Sequence, residues 1–286
     1  MSAEIIDGKK IANQIKERLR EEIDILKKKG KPPSLSAIQV GENPGSKVYV
    51  KAQRKSCESM GIEYNLHQFS ENITQKELSD FIQKLNQDPR VTGIILQMPL
   101  PGHINAREMQ RLIDPTKDAE GVSPTNMGMV VYGKPLLGPC TAMAIMELVK
   151  STKIDLYGKE AVMVGHSDIV GKPTALLLLD KFVTTSVCHI ATGERGSLPD
   201  YVKKAEILIV AVGKANLIKG EWIKEGAVVI DVGINRIEGK IVGDVEFDVA
   251  KERASYITPV PGGVGPVTTA MLLRNTVEAA KLQIGS

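Results

Sequence analysis

Cysteine is nearly absent from the chain: three residues in 286, at positions 57, 140 and 188, with no CxxC spacing among them. An odd set of widely separated thiols builds neither a disulfide framework nor a thiolate zinc site, so a reducing, cytoplasmic setting and no metal are expected. Charge of one sign is scarce as well. Thirty-seven basic against 34 acidic residues leave a net +3 with both signs interspersed, too weak and too mixed for a nucleic-acid groove. The densest basic run, KKKGK at 27–31, reads as a solvated helix end. No apolar run approaches membrane-spanning length, and the start, MSAEIIDGKKIANQIKERL, has acids early and apolar residues at helical spacing, unlike a signal peptide. Internal repeats and low-complexity tracts are lacking too.

What remains is an ordinary globular composition, 42% hydrophobic and 25% charged, in a chain long enough for two domains. Short β-branched segments alternate with amphipathic ones, the pattern of parallel sheets covered by helices, so the fold class is α/β. The first series reads helix 8–29, strand SLSAIQV, helix 44–60, strand EYNLHQF, helix 74–86, strand VTGIILQ and helix 104–112. A Gly-, Pro- and Asn-rich stretch, DPTKDAEGVSPTNMGMVVYGKPLLGPC, then marks a domain junction. Beyond it come helix 140–151, strand EAVMVG, helix 170–181, strand TTSVCH, helix 198–204, strands EILIVAVG and AVVIDVG, a strand near YITPV and a last helix over 267–282. The expected domains are 1–120 and 140–266, with the final helix, 267–286, packing back on the first.

In the second series, AVMVGHSDIVGKP runs from a strand through a glycine turn into a helix, a layout that aims backbone N–H groups at a phosphate. It is neither GxGxxG nor a Walker A loop: five residues separate Gly165 from Gly171, and Pro173 follows Lys172 where a magnesium-binding hydroxyl would stand. AVGKAN and DVGIN also end apolar strands in glycine. Ligands of open parallel sheets lie beyond such strand ends. Three glycine-tipped loops therefore fit a dinucleotide, and each taken singly also fits tight packing. After the second strand Ile190 occupies the tip, with Glu194, Arg195 and His166 near it in sequence and neither an acid for ribose hydroxyls nor a base for an extra phosphate in the obvious place.

YVKAQRKSCESMGI, GIILQMPLP, KDAEGVSPTNMG, GPCT, VGHSDIVGKP, AVGKANLI, VVIDVGIN, GDVEF and TPVPGGVGPVTTAML follow one another in order. The chain thereby resembles the methylenetetrahydrofolate dehydrogenase/cyclohydrolase family of the FolD type over nearly its whole length. The resemblance implies a homodimer of an N-terminal α/β catalytic domain and a C-terminal Rossmann-like NAD(P)-binding domain with a parallel sheet, folate lying in a cleft against the first. It implies oxidation of methylene-tetrahydrofolate by hydride transfer, then hydrolysis of the methenyl product to formyl-tetrahydrofolate. Tyr49 would orient the folate, Gln97 would bond near the reacting centre, and Pro99, Leu100, Glu120, Pro261 and Gly262 would line the substrate. Gly165, His166, Ser167, Val170, Gly171, Ile190, Gly213, Ile234 and Thr268 fall at cofactor-side positions.

The departures carry most weight. Where the family motif has Tyr, three residues, then its principal catalytic Lys, this chain has Tyr49 and Gln53; Glu120 replaces an Asp that contacts the pterin; His166 replaces an Arg that reaches the 2′-phosphate in NADP users; and Ala142 to Ala144 depart from the PCTPxG pattern. Hydride transfer needs chiefly a held geometry, whereas hydrolysis must move protons, which a glutamine amide cannot do. Lys51 and Lys55 sit about 200° round the helix from Gln53 and do not replace it. The expectation is a dehydrogenase with weak or absent cyclohydrolase activity, using NAD in preference to NADP unless Arg195 supplies a phosphate contact. The competing readings are a fully bifunctional enzyme and a non-catalytic folate- or nucleotide-binding paralogue, the latter opposed by intact Tyr49, Gln97 and PGGVGP.

Overall fold

A computed structural model describes residues 2–284, the side chains of 44–48 excepted. In chain order its elements are β1 (Glu4–Ile5), α1 (Gly8–Lys28), β2 (Ser34–Val40), α2 (Pro44–Ser59), β3 (Glu63–Phe69), α3 (Gln75–Gln87), β4 (Gly93–Leu96), α4 (Ala106–Leu112), α5 (Pro124–Val131) and α6 (Cys140–Ser151). There follow β5 (Glu160–Val164), α7 (Gly171–Leu179), β6 (Thr184–Cys188), α8 (Ile190–Glu194), α9 (Leu198–Val202), β7 (Ile207–Val210), β8 (Val228–Asp231), β9 (Asn235–Ile237), β10 (Lys240–Val242), α10 (Phe247–Arg253), β11 (Tyr256–Ile257) and α11 (Val264–Leu282).

The chain divides into two compact units, Gln14–Cys140 with Thr269–Ser286, and Met1–Asn13 with Thr141–Thr268. The first is built on a three-stranded parallel sheet, order β3-β2-β4. Its central strand β2 is buried along all seven residues, as the apolar run SLSAIQV requires of a strand covered on both faces. Helix α3 begins at a capping box, in which Thr74 Oγ1 accepts from Glu77 N at 3.2 Å and Glu77 Oε2 accepts from Thr74 N at 2.9 Å. It buries the stripe Leu78, Ile82 and Leu85 against Ile38, Ile94 and Leu96. Each such side chain contributes about 1.5–3 kcal/mol by leaving water.

The second unit carries a six-stranded parallel sheet, order β1-β11-β8-β7-β5-β6. Strand β5 lies between β6 and β7, so the connections leave it in opposite directions and a crevice opens beyond its carboxyl end. The first residues correct the expected boundary of the N-terminal domain. Glu4 and Ile5 pair with Tyr256 and Ile257, and Ala3 is buried among Val229, Ala250 and Ile257 in the second unit. Two residues are too short to show a period, which hid β1 from the sequence. The junction stretch, expected to be irregular, holds α5, started by Ser123, whose Oγ accepts from Asn126 N at 3.4 Å, and by Pro124. Helix α8 and the hairpin β9–β10 were not foreseen either.

Candidate active site

Helix α2 buries Val50, Gln53 and Cys57, one face at spacings of three and four that Met60 continues just past its end, and leaves Lys51, Arg54 and Lys55 exposed. A glutamine on a buried stripe needs partners, and Gln53 has two. Its Oε1 accepts from Gln97 Nε2 at 2.8 Å and from the Tyr64 hydroxyl at 3.2 Å. Gln97 follows β4 directly, its backbone N–H donating to Ile38 O at 2.8 Å, so it is held at the carboxyl end of the sheet. Tyr49, one turn before Gln53, is 53% exposed. No lysine occupies the place of Gln53, and the amide does not point to bulk water.

The segment between α4 and α5 is fastened on both sides of Glu120. Lys117 Nζ donates to the carbonyls of Leu85, Asn86 and Asp88 at 3.2, 2.7 and 2.8 Å, filling the carboxyl end of α3. Buried Asp118 accepts from Gly121 N at 2.9 Å, Ser123 N at 2.7 Å and Asn126 Nδ2 at 3.0 Å. Asn275 of α11 donates to Ala119 O at 3.0 Å and Gly138 O at 2.8 Å. Glu120 itself is unsatisfied: its Oε2 is buried with no hydrogen-bond partner. Burial, followed by the Asp118 charge, pushes its carboxyl up to about 8. Burial, with Glu120 adding to it, likewise raises the Cys140 thiol, so Cys140 is no nucleophile.

Of the other substrate-side residues, Pro99 is exposed and Leu100 packs against the core cluster of α3 and α4 rather than facing outward. Pro261 and Gly262 belong to the second unit. Gln53 and Gln97, 44 residues apart, are brought into contact; among the described residues Glu120 makes no hydrogen bond to either.

In the second unit, Gly165 ends β5 at φ +118°, a conformation open to glycine, and a Cβ there would strike the Ala211 carbonyl. The helix-start N–H groups expected to be free are partly spent. Ser167 Oγ accepts from Val170 N and Gly171 N, each at 3.3 Å, and Ser167 O accepts from Lys172 N at 3.1 Å. His166 is exposed, its ring centroid 5.3 Å from that of His189. Ile190 is not at a strand tip: β6 ends at Cys188 and Ile190 opens α8, 76% exposed. Ile234 is 54% exposed. Thr268 Oγ1 donates within α11 to Val264 O at 3.2 Å.

Two carboxylates hold these loops in place. Asp231 accepts from Gly233 N at 2.9 Å, Asp244 N at 3.0 Å and Val245 N at 2.9 Å. Asp244 accepts from Val212 N at 2.8 Å, Gly213 N at 2.9 Å and Asn235 Nδ2 at 2.8 Å. Glycine at 233 and 243 allows the approach, since a Cβ at either would meet a carboxylate. At Gly213, φ +65°, a Cβ would meet nothing within 4 Å, so the surface beyond β7 is open beside the β5 turn. Open glycine-lined loops beyond β5 and β7, with polar groups already latched beneath them, fit a flat dinucleotide. Asp231, Asp244 and Tyr64 were missed from sequence; the only signal was an acid within DVGIN and GDVEF, read there for their glycines and their resemblance.

Fold and site together define an α/β protein with a dinucleotide-type sheet and, in the other unit, a cluster of hydrogen-bonded polar side chains. Residues 6–120 match the catalytic domain of the tetrahydrofolate dehydrogenase/cyclohydrolase family, and residues 139–284 match its NAD(P)-binding domain; the chain belongs to that family. It is 50% identical over 282 residues to the bifunctional protein FolD of Bacillus subtilis (strain 168), covering 98% of this chain and 99% of that one. The structure is similar to that of the bifunctional FolD enzyme of Campylobacter jejuni, with a TM-score of 0.95, 47% identity and coverage of 98% and 99%. The Trypanosoma brucei FolD, solved with NADP cofactor and inhibitor, gives a TM-score of 0.95, 39% identity and full coverage of both chains.

Proposed function

We propose that this chain oxidises methylene-tetrahydrofolate to methenyl-tetrahydrofolate by hydride transfer to a nicotinamide cofactor, and hydrolyses the methenyl product weakly or not at all. The observation that carries the second half is the buried Gln53, held by Gln97 and Tyr64 where the family's lysine is expected. Bound NAD(P) supplies the hydride acceptor. Gly165, Ser167, Val170, Gly171, Gly213, Ile234 and Thr268 are the residues proposed to hold it, with Pro261 and Gly262 on the folate side. In the first unit Tyr49 presents an exposed ring for stacking, and the Gln53 and Gln97 amides offer hydrogen bonds that orient the folate. Orientation suffices for hydride transfer, because the two nitrogens flanking the donor carbon stabilise the cation. Attack of water demands in addition a group that takes a proton, and an amide does not titrate in the useful range. Initial rates of cofactor reduction and of methenyl disappearance, measured on one purified sample, test the reading; comparable rates for the two steps overturn it.

A second reading retains hydrolysis, and one observation favours it. Glu120, with an unpartnered oxygen and a carboxyl raised to about 8, is an ionisable group poised near neutrality in the same unit as Gln53. The matched relatives from Bacillus subtilis and Campylobacter jejuni are, moreover, named bifunctional. Under this reading Glu120→Gln abolishes hydrolysis while sparing oxidation.

NAD is the proposed cofactor, because His166 replaces the family's arginine and Ile190 adds no phosphate donor, with Arg195 the residue that would reverse the preference; parallel NAD and NADP titrations decide it. The same proposal includes a cytoplasmic homodimer. Its support is the edge strand β6, which carries exposed Val187 and is preceded by exposed Leu179 and Phe182. Sedimentation of a Phe182→Glu variant as a monomer, against a dimeric parent, is the expected result.

A further inference from the structure

A glutamine is an ambiguous residue at a binding site: turned one way its amide donates, turned over it accepts. Three facts set the orientation of Gln53 against Gln97 and Tyr64 as they stand. An amide oxygen has two lone pairs, and both are taken, by Gln97 Nε2 at 2.8 Å and by the Tyr64 hydroxyl at 3.2 Å. Turning the Gln53 amide over against a stationary Gln97 would set its NH2 against the Gln97 NH2 and lose that bond. The Gln53 nitrogen, in contrast, donates to no other group among the described residues, so both of its hydrogens are uncommitted.

Tyr64 is fixed in turn. It lies on β3, in register with Leu35 of β2. Its ring is half-buried, with the Arg54 guanidinium carbon 5.7 Å from the centroid. Burial, with Cys57 adding to it, raises the phenol above its ordinary range, so the group remains a donor at any working pH.

We propose that Tyr64 is a positioning residue for the reaction: by filling the second lone pair of Gln53 Oε1, it presents the Gln53 NH2 to the folate as a hydrogen-bond donor toward an acceptor oxygen or ring nitrogen. Donation is the one property of an ammonium group that glutamine reproduces, and Tyr64 secures it. The inference rests on the reading that Gln53 faces the folate.

The test is a double-mutant cycle with Tyr64→Phe and Gln53→Ala in the full-length protein, with steady-state kinetics on methylene-tetrahydrofolate and calorimetric titration of tetrahydrofolate. Tyr64→Phe removes one neutral hydrogen bond, an effect of about 2- to 12-fold. The expected result is a loss of that size in kcat/KM for folate and in tetrahydrofolate affinity, with the KM for cofactor and the melting temperature unchanged. In the Gln53→Ala background the same substitution should have no effect. An equal loss in that background, or a silent Tyr64→Phe beside a damaging Gln53→Ala, overturns the role of Tyr64 and leaves the site reading intact. A silent Gln53→Ala overturns both. Should Tyr64→Phe lower the melting temperature, Tyr64→His, which retains a donor on a ring, must recover the folate affinity or the proposal fails.

Discussion

The six-stranded unit saturates both of the buried carboxylates that tie its loops, whereas the three-stranded unit saturates Asp118 and leaves its neighbour Glu120 open. Asp231 and Asp244 in the six-stranded unit take three polar hydrogens each, nearly all from backbone N–H groups of the loops they tie together. Glu120 in the three-stranded unit sits in a loop just as firmly fastened, through Lys117, Asp118 and Asn275, yet has a buried oxygen with nothing bound to it. A saturated carboxylate is scaffold; an unsatisfied one costs folding free energy and stays available for chemistry. The raised groups differ accordingly, Asp231 reaching about 6 against three opposing hydrogen bonds and Glu120 about 8 without them.

The largest expected effect comes from adding a titrating cation to the unit that leaves its valences open. Gln53→Lys should raise methenyl hydrolysis by about 10²- to 10⁴-fold while cofactor reduction changes little, followed in a stopped assay; no gain removes the basis for separating the activities. Breaking the saturated partner comes next. Asp244→Ala strands the Val212, Gly213 and Asn235 donors at a cost of about 3 kcal/mol. Melting should fall by roughly 6–12 °C, and NAD titration should show affinity lost with it; an unchanged affinity would separate the latch from the cofactor loops.

Glu120→Gln sharpens the contrast through pH. The folded carboxyl lies near 8 against an ordinary 4.5, so the native state retains a proton that the unfolded chain gives up, and the parent loses stability as pH rises from about 4.5 to 8. Glutamine does not titrate, so the variant's melting temperature should match the parent's near pH 4.5 and exceed it by a margin that widens as pH rises to 8. A pH-independent difference would mean that Glu120 is ionised in the fold. The smallest effect is expected of His166→Arg on the exposed rim, a gain of about 5-fold in NADP over NAD binding; no change would place the 2′-phosphate elsewhere.

Much of this was legible in the sequence. SLSAIQV and EYNLHQF are strands over the residues read, and helix 44–60 is found at Pro44–Ser59, because seven- to seventeen-residue periodic segments carry their own signal. That Gln53 shares a buried face was readable from its spacing to Val50, Cys57 and Met60. What shares that face from outside the helix was not. Tyr64 reaches Gln53 only because β3 returns beside α2, and Asp244 meets Gly213 only through the folding of two loops 31 residues apart. Ile190 was misplaced because β6 stops a residue earlier than its apolar pattern and α8 starts at once. The domain boundary failed for a related reason: a two-residue strand is recognised by its partner, not by its own composition.

That strand bears on how the protein comes into being. Glu4 and Ile5 are made about 250 residues before Tyr256 and Ile257, beside which they lie. The larger sheet thus stays open at the border of β8 until β11 has been made. A nascent chain stalled before β11 should present that border to proteases or chaperones even though β5 to β8 have already been made.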